Sequence, residues 1–291
     1  MPELPDIKNY LTALDRFVVG HDLQSVSVRS PFVLRTFEPD IQSCTNLQIT
    51  AVSRLGKRIV WHFPDERFLV FHLMIAGRFH WRKPGTRPTR KVDLAAFGLE
   101  HGTMLLTEAS QKKRASIHVV QGIDGLQEHT RSGVDVLSCS LDEFAERLRQ
   151  KNRTLKRALV DPELFDGIGN AYSDEILHAA GLSPVQTTSR LDDEAIAKLF
   201  DAARVTLTIW IDRLHEETGE KFPEKVTAFH PKMAVHGRFG EPCPVCQSPV
   251  QRIVYATREL NYCAKCQTKG KVLKDRSLSR LLKDDWPSSI E

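Results

Sequence analysis

The stretch KRALVDPELFDGIGNAYSDEIL, residues 156–177, predicts two helices joined by a turn-rich segment. The first helix is expected to end near Val160, and the second to begin at Asn170, whose side chain is a good N-cap. The loop GIGN at 167–170 directs backbone N–H groups toward whatever lies in front of it, and its glycines allow close approach, so it can hold a phosphate. A tight structural turn explains the same glycines equally well.

The sequence on both sides of this stretch is mostly helical. Ser140 followed by Glu143 is a capping-box pattern and predicts a helix over 141–150. A longer helix is predicted from apolar residues at helical spacing, and its apolar face is expected to pack in a core. These residues are Ile196, Leu199, Phe200, Ala203, Leu207 and Trp210.

The first half of the chain has a different pattern. Apolar residues at helical spacing predict a helix over residues 5–20, with Gly20 as its stop. Between about residues 24 and 120, short β-rich runs such as RIVWHF and RFLVFHLMIAGRFHW are broken by Gly, Pro and Asp turns. This pattern predicts a β-sandwich or a β-barrel.

The strongest local signal is a pair of CxxC motifs, CPVC at 243–246 and CAKC at 263–266. Four thiolates at this spacing can converge on one tetrahedral Zn²⁺, whereas a disulfide pair or a redox-active CxxC is the alternative. The residues between the motifs predict a β-hairpin with its turn near Thr257 and Arg258. An arginine there suits a phosphate contact, although most are simply solvated. The predicted ligands are Cys243, Cys246, Cys263 and Cys266.

Composition and charge set limits on the function. Lys and Arg outnumber Asp and Glu by 41 to 37, and the net charge of +4 is compatible with a polyanionic partner without requiring one. No apolar run approaches the roughly 18 residues of a membrane span, and the N-terminus lacks the pattern of a signal peptide. We therefore expect a cytoplasmic protein with no membrane partner. Cys44 and Cys139 are isolated and are expected to be buried.

The N-terminus, MPELPDI at residues 1–7, has an unusual combination of residues. Methionine aminopeptidases remove the initiator Met when a small residue follows, and Pro qualifies. The mature chain is thus expected to begin at Pro2, which places a free secondary amine beside the carboxylate of Glu3. The alternative is a helix lead-in with incidental prolines.

Together these motifs resemble the formamidopyrimidine-DNA glycosylase and endonuclease VIII family of base-excision repair enzymes. The resemblance implies an α+β fold: an N-terminal helix with a two-sheet β-sandwich, then a helical helix-two-turn-helix domain with a C-terminal β-hairpin zinc finger. It also implies damaged double-stranded DNA as the partner and one structural Zn²⁺. The shared motifs are PELPD at 2–6, LGKR at 55–58, HLMIAG at 72–77, the two-helix stretch at 156–177, and the cysteine module followed by Gln267.

The resemblance also implies roles for residues at the N-terminus. The amine of Pro2 attacks C1′ of the damaged nucleotide, and the resulting iminium permits strand cleavage by β- and δ-elimination. Glu3 matches the acid catalyst. The family usually has Glu where this chain has Asp6, whose side chain is one methylene shorter, so Asp6 either takes part in catalysis or caps the helix.

Further residues match family positions that hold DNA. Two cations, a ring that can donate a hydrogen bond and an amide at a helix start all suit phosphate binding around an extruded nucleotide. Lys57 is placed in the catalytic set as well. The matching residues are Lys57, His72, Asn170 and Arg258.

The departures from the family pattern concern substrate choice. Many relatives have a DPRRFG-like stretch whose Arg and Phe enter the helix stack, and the corresponding run here is SQKKRAS at 110–116. Arg114 is retained as a DNA contact, while the aromatic wedge position falls on Ala115. The methionine that fills the vacated space in relatives corresponds to Met74 or Ile75.

The sequence therefore predicts a bifunctional DNA glycosylase and abasic-site lyase that excises oxidised bases, acting as a monomer. An endonuclease VIII-like glycosylase for oxidised pyrimidines and a non-catalytic zinc-finger protein that binds damaged DNA are the alternatives. The predicted division is a catalytic β-sandwich domain at 1–135, a helical DNA-binding domain at 136–236, a zinc finger at 237–270 and a tail at 271–291.

Overall fold

The computed structural model describes residues 1–255, 258–275 and 289, with only the backbone described for Tyr255 and Arg258. The chain forms two compact units that are not continuous in sequence. One unit comprises Met1–Arg131 with Trp210–Thr227, and the other comprises Ser132–Ile209 with Ala228–Glu291. The segment 210–227 thus belongs with the β-rich unit, although the sequence division assigns it to the helical domain.

The first unit contains helix α1 (Leu4–Phe17) and two four-stranded antiparallel sheets, ordered β1-β6-β7-β5 and β2-β3-β4-β8. Of the two β architectures that the sequence allowed, the structure has the two-sheet sandwich. The strands are β1 (Ser25–Val28), β2 (Ala51–Leu55), β3 (Arg58–Phe63), β4 (Arg67–His72), β5 (Gly77–Arg82), β6 (Asp93–Leu99), β7 (Gly102–Glu108) and β8 (Ser116–Gln121).

Alternation along the strands builds the core of this unit. In β3, Ile59, Trp61 and Phe63 belong to the main apolar cluster, whereas Arg58 and His62 do not. The rings of Trp61, Phe71, Phe79 and Phe97 meet in edge-to-face pairs with centroids 5.2–5.5 Å apart, the geometry that aromatic quadrupoles favour. Helix α1 adds its own apolar face to the same cluster. The core thereby supports the start of β3 and the end of β4, next to which the predicted DNA contacts Lys57 and His72 lie.

Two segments outside the sheets differ from simple loops. Residues 34–36 extend alongside β8: Leu34 bridges Ile117 in parallel, and the N–H of Arg35 donates to the Ile117 carbonyl at 2.9 Å. The segment after β8 contains a short helix, α2 (Ile123–Gln127). Its Leu126 packs on a small apolar cluster of the sheet, which explains why the helix forms there.

The second unit contains the predicted helices and the hairpin. Ser140 and Glu143 form the predicted capping box at the start of α3. The long helix α6 begins in this unit and ends in the segment that belongs to the first unit. The elements are α3 (Leu141–Arg149), α4 (Leu155–Leu159), α5 (Asn170–Ala179), α6 (Asp193–Thr218), β9 (Gln251–Tyr255), β10 (Arg258–Tyr262) and α7 (Ala264–Thr268).

The start of α5 corrects one detail of the sequence analysis. The N-cap is Gly169, not Asn170, and Asn170 is the first helical residue. The Asn170 side chain instead donates from Nδ2 to the carbonyl of Glu259 in β10, at 2.9 Å. A long-range hydrogen bond has therefore replaced the local cap that its residue type favours.

Cys44 and Cys139 are buried, as predicted. Among the described residues, no helix is both long enough and apolar enough to cross a membrane.

Candidate active site and zinc finger

The N-terminal residues are buried at the start of α1. Pro2 is buried, and the side chains of Glu3 and Asp6 are almost completely covered. The N–H of Glu3 donates to Oδ2 of Asp6 at 2.8 Å, as one half of a capping box between these two residues. Asp6 therefore caps α1, which is one of the two roles considered for it from the sequence.

Burial changes the ionisation of this group of residues. It raises the pKa of Asp6 to about 7, although the hydrogen bond from the Glu3 N–H lowers it in part. Burial also lowers the pKa of the Met1 amino group; the charges of Arg78 and Lys57 lower it further, while Glu3 and Asp6 oppose them. An amine at this end of the chain is therefore more readily neutral than an exposed one.

Lys57 and His72 lie at neighbouring ends of two paired strands. Lys57 occupies the turn between β2 and β3, and Arg58 directly after it pairs with His72 at the end of β4. Burial lowers the pKa of His72 to about 4, and the charges of Arg58 and Lys57 contribute. His72 is thus neutral near pH 7 and can donate one N–H to an anion.

Arg78 is a cation of this site that the sequence analysis missed. It lies in β5, where its guanidinium donates to the carbonyls of Val226 at 2.6 Å and Gly77 at 2.6 Å. Its charge lowers the pKa of the Met1 amine and of Asp6. The available signal was its position directly after the HLMIAG motif, but an arginine in a strand gives no indication of which charges it will meet.

The loop after β7 is held by Glu108, which the sequence analysis also did not identify. Its buried carboxylate accepts from the N–H groups of Arg114 at 2.8 Å and Ala115 at 3.0 Å, while its carbonyl accepts from Lys113 Nζ. Arg114 is exposed, as a DNA contact requires, whereas Ala115 is 2% exposed and belongs to the main core. An aromatic wedge at position 115 would therefore enter the core and not solvent.

In the HLMIAG turn, Met74 and Ile75 are the two candidates to fill the space left by the extruded nucleotide, and they differ in conformation and exposure. Met74 has a φ of +52°, a left-handed conformation that costs roughly 1–2 kcal/mol for a residue with a Cβ. The following Ile75 is 59% exposed, far more than Met74. Of the two, Ile75 is the side chain free to enter a DNA stack.

In the second unit, Asp174 links the two-helix stretch to the finger. Its Oδ1 accepts from Lys156 Nζ at 2.6 Å, and its Oδ2 from His236 Nδ1 at 2.8 Å and the Asn261 N–H at 3.2 Å. Lys156 Nζ also donates to the Asn170 carbonyl at 2.6 Å. This buried network fixes the backbone of Asn170 and of β10 together.

The neighbouring Glu175 also binds the segment that leads into the finger. Its carboxylate accepts from three consecutive N–H groups, those of Ala234, Val235 and His236, at 2.7–2.9 Å. Burial raises its pKa, and these hydrogen bonds oppose the rise. Asp174 and Glu175 therefore both anchor the segment that leads into the finger.

The four cysteines form the predicted metal site. All four Sγ atoms lie within 4.8 Å of one another, with 3.9 Å between Cys243 and Cys266 and 3.3 Å between Cys246 and Cys263. Zn–S bonds of about 2.3 Å in a tetrahedron put sulfur atoms about 3.8 Å apart, so the cluster fits one structural Zn²⁺. The alternative of a disulfide pair is not seen, since all four are free thiols.

Hydrogen bonds around the cluster hold its ligands in place. His178 Nε2 lies 3.3 Å from Cys243 Sγ, and Gln267 accepts from the Cys263 N–H at 2.8 Å while donating to the Leu182 carbonyl at 2.9 Å. The hairpin β9–β10 projects between the two CxxC pairs, as predicted. Arg258 begins β10; its side chain lies outside the described residues, as do Thr257 and residues 276–288 of the tail.

Three family models match successive parts of the chain. The formamidopyrimidine-DNA glycosylase N-terminal domain matches residues 1–114, and the H2TH domain of the same family matches residues 134–219. The zinc finger found in FPG and IleRS matches residues 240–269. The three matches follow the order of the β-sandwich, the two-helix stretch and the cysteine module.

Known proteins resemble the chain over almost its whole length. The formamidopyrimidine-DNA glycosylase of Herpetosiphon aurantiacus is 30% identical over 283 residues, which cover 92% of this chain and 100% of that protein. The Fpg (MutM) protein of Thermus thermophilus is 29% identical with a TM-score of 0.76, over 91% of this chain and 98% of that one. Lactococcus lactis Fpg in complex with abasic-site DNA shares the fold, with a TM-score of 0.80 at 23% identity over 91% and 99% of the two chains. The chain belongs to the formamidopyrimidine-DNA glycosylase family.

Proposed function

We propose that the chain is a bifunctional DNA glycosylase and abasic-site lyase that excises oxidised bases from double-stranded DNA. The observation that carries the proposal is the buried N-terminus: Pro2, Glu3 and Asp6 are covered, and burial lowers the pKa of the Met1 amino group that precedes Pro2. Membership of the family and the activity for which the relatives are named support the same proposal. A protein that only binds DNA has no need of such an amine.

The proposed first step uses the amine of Pro2 after removal of Met1. The uncharged nitrogen attacks C1′, the glycosidic bond breaks, and the damaged base leaves with the bonding electrons and takes a proton. The attacking nitrogen loses its own proton. Glu3 then protonates O4′ as the C1′–O4′ bond opens, which leaves an iminium between the proline nitrogen and C1′.

The iminium makes the following eliminations possible because it accepts electron density from C2′. Loss of a C2′ proton expels the 3′ phosphate in β-elimination, and a further proton loss expels the 5′ phosphate in δ-elimination. Hydrolysis of the remaining linkage releases the sugar fragment and restores the amine. Glu3 is placed to move these protons, and Asp6, with a pKa of about 7, exchanges a proton near neutral pH while it caps α1.

The electrostatic surroundings favour this chemistry. Burial and the charges of Lys57 and Arg78 lower the pKa of the Met1 amine, and we expect the same surroundings to favour the neutral, nucleophilic form of the Pro2 amine once Met1 is removed. The positive end of α1 acts in the same direction. Lys57 thus serves twice in the proposal: its charge activates the amine, and its ammonium binds a phosphate.

The remaining residues are proposed to hold the DNA. His72 donates an N–H to a phosphate as a neutral imidazole, and Arg114 contacts the DNA from the exposed loop after β7. Asn170 and Arg258 act in the second unit, where the hydrogen bond from Asn170 to Glu259 ties α5 to the residue that follows Arg258. The Zn²⁺ in the finger supplies rigidity to this hairpin and takes no part in the reaction.

An activity panel tests the proposal and separates it from its alternatives. The untagged protein is incubated with duplexes that contain 8-oxoguanine, a formamidopyrimidine, a hydantoin, thymine glycol or an abasic site, and the products are resolved on gels. We expect base release and β,δ-elimination products from the native protein. The Glu3→Gln variant is expected to lose most of this incision activity, and the Asp142→Asn variant is expected to keep it. Incision of oxidised pyrimidines alone supports the endonuclease VIII-like alternative, and tight binding without incision supports the non-catalytic one.

The oligomeric state, the location in the cell and the domain boundaries stay predictions. These are the monomeric state, the cytoplasmic location and the domain division at residues 135, 236 and 270. Sedimentation of the purified protein with and without DNA tests the first of them.

A further inference from the structure

A surface cavity of about 370 Å³ lies in the first unit. One wall is the ring of Phe32, which is 79% exposed, and the neighbouring wall includes Pro31 and Leu94. Single exposed hydrophobic side chains are common, so the exposure of Phe32 becomes informative only because its ring lines a cavity. The cavity is large enough for an aromatic ring with a substituent.

The rest of the lining is strongly cationic. Arg29, Lys91 and Lys113 all face the cavity. Its one carboxylate, Asp93, is 2% exposed and is occupied by the side chain and N–H of Arg90, so it contributes little unbalanced negative charge. An aromatic wall beside three cations is complementary to a nucleotide, whose base stacks and whose phosphate pairs with Lys or Arg.

The position of the cavity relates it to the residues that are proposed to hold DNA. Ser116, the first residue of β8, pairs with His72 on β4. On the other side of β8, Leu34 bridges Ile117, and Phe32 lies two residues before Leu34. Because residues 34–36 run parallel to β8, the turn at Pro31–Val33 that contains Phe32 lies toward the Ser116 end of β8, which is the end of the sheet where His72 lies. Lys113 of the cavity belongs to the loop anchored by Glu108.

We propose that this cavity binds a nucleotide adjacent to the lesion, with its base stacked on Phe32 and its phosphate held by Arg29, Lys91 and Lys113. The inference rests on the proposed function, because it assumes that DNA is bound at this end of the sheet. It identifies an aromatic contact in a chain whose 110–115 loop has no aromatic residue. A stacked neighbour on Phe32 holds the strand while the damaged nucleotide leaves the helix.

Binding measurements with two duplexes test the proposal. One duplex contains a stable abasic-site analogue, and the other also lacks the bases of the two flanking nucleotides. Loss of stacking is worth roughly 1–3 kcal/mol, so Phe32→Ala is expected to bind the first duplex about 5- to 150-fold more weakly. On the second duplex, Phe32→Ala and the native protein are expected to bind equally. Phe37→Ala is the matched control, since Phe37 is 75% exposed but does not line the cavity.

The phosphate part of the proposal has its own measurement. Lys91→Ala is expected to reduce the slope of log K against log salt by about 0.9, because one fewer counterion is released. Equal affinities of Phe32→Ala and Phe37→Ala for the first duplex would overturn the stacking proposal, as would an equal loss on both duplexes. The native protein is assayed in parallel for incision of abasic DNA. If it incises this DNA but Phe32→Ala binds as tightly as the native protein, only the proposed nucleotide site is refuted. If the native protein neither incises nor binds, the proposed function is refuted as well.

Discussion

Replacing Asp174 by alanine is expected to destabilise the second unit strongly. The carboxylate makes three buried hydrogen bonds, and its strongest partner, Lys156 Nζ at 2.6 Å, belongs to a residue that is only 8% exposed. Removing the carboxylate leaves the ammonium of Lys156 buried, and among the described residues the Asn170 carbonyl is its remaining acceptor. Breaking a buried ion pair in this way costs about 3–5 kcal/mol.

A milder variant and a control make the prediction specific. Asp174→Asn keeps the side-chain volume and one acceptor, so we expect a smaller loss of about 1–3 kcal/mol. Asp193→Ala removes an acid that pairs with Arg149 but is 94% exposed, and no measurable loss is expected.

The free energies of unfolding are measured by urea unfolding at pH 7 with zinc present, and the unfolding is monitored by circular dichroism. DNA affinity should fall together with stability, because the network fixes the backbone of Asn170 and β10. A loss below about 1 kcal/mol for Asp174→Ala, or equal losses for Asp174→Ala and Asp193→Ala, would refute the reasoning from burial.

Other substitutions give further tests. The folded state keeps a proton on Asp6 that the unfolded chain loses above the usual pKa of 3.8. The free energy of unfolding of the native protein should therefore fall, relative to that of Asp6→Asn, as the pH rises from 3.8 to about 7, and parallel pH profiles of the two proteins would contradict this. Cys263→Ser should lose the one Zn²⁺ that metal analysis finds in the native chain, while Cys139→Ser keeps it; equal zinc contents would count against the assigned ligands. Met74→Gly should raise the free energy of unfolding by up to about 1 kcal/mol, since glycine adopts its positive φ without strain, and a loss in urea unfolding would be inconsistent with that strain. Ala115→Phe should cost about 1–3 kcal/mol by overfilling the core and should not increase excision of 8-oxoguanine; a faster, equally stable variant would show that position 115 faces DNA.

The parts of the fold that local patterns determine were predictable from the sequence. The capping box at Ser140, the hairpin between the CxxC pairs and the convergence of four cysteines each depend on residues close together in the chain. The β-rich unit followed from short apolar runs broken by turn residues, although these runs alone could not separate a sandwich from a barrel. The family motifs added the site residues, because they record which distant positions act together.

Long-range partners were not predictable in the same way. Asp174 meets Lys156 across 18 residues of sequence and Asn261 across 87, and nothing in the residues' types indicates those pairings. Asn170 was interpreted as an N-cap because local propensity favours it, but a bond to β10 prevailed. The wedge position of relatives was matched to Ala115 from the order of residues in the motif alone, and the hydrogen bond to Glu108 holds this residue in the core.

The most direct test of the central claim is borohydride trapping on abasic-site DNA. Reduction converts the iminium between the Pro2 amine and C1′ into a stable bond, and peptide mass spectrometry then locates the attached residue. The account predicts a covalent adduct on Pro2 in protein that lacks Met1, and a sharp loss of the adduct when an uncleaved tag precedes Pro2. Equal trapping by the tagged protein, or an adduct on a lysine such as Lys57, would contradict it.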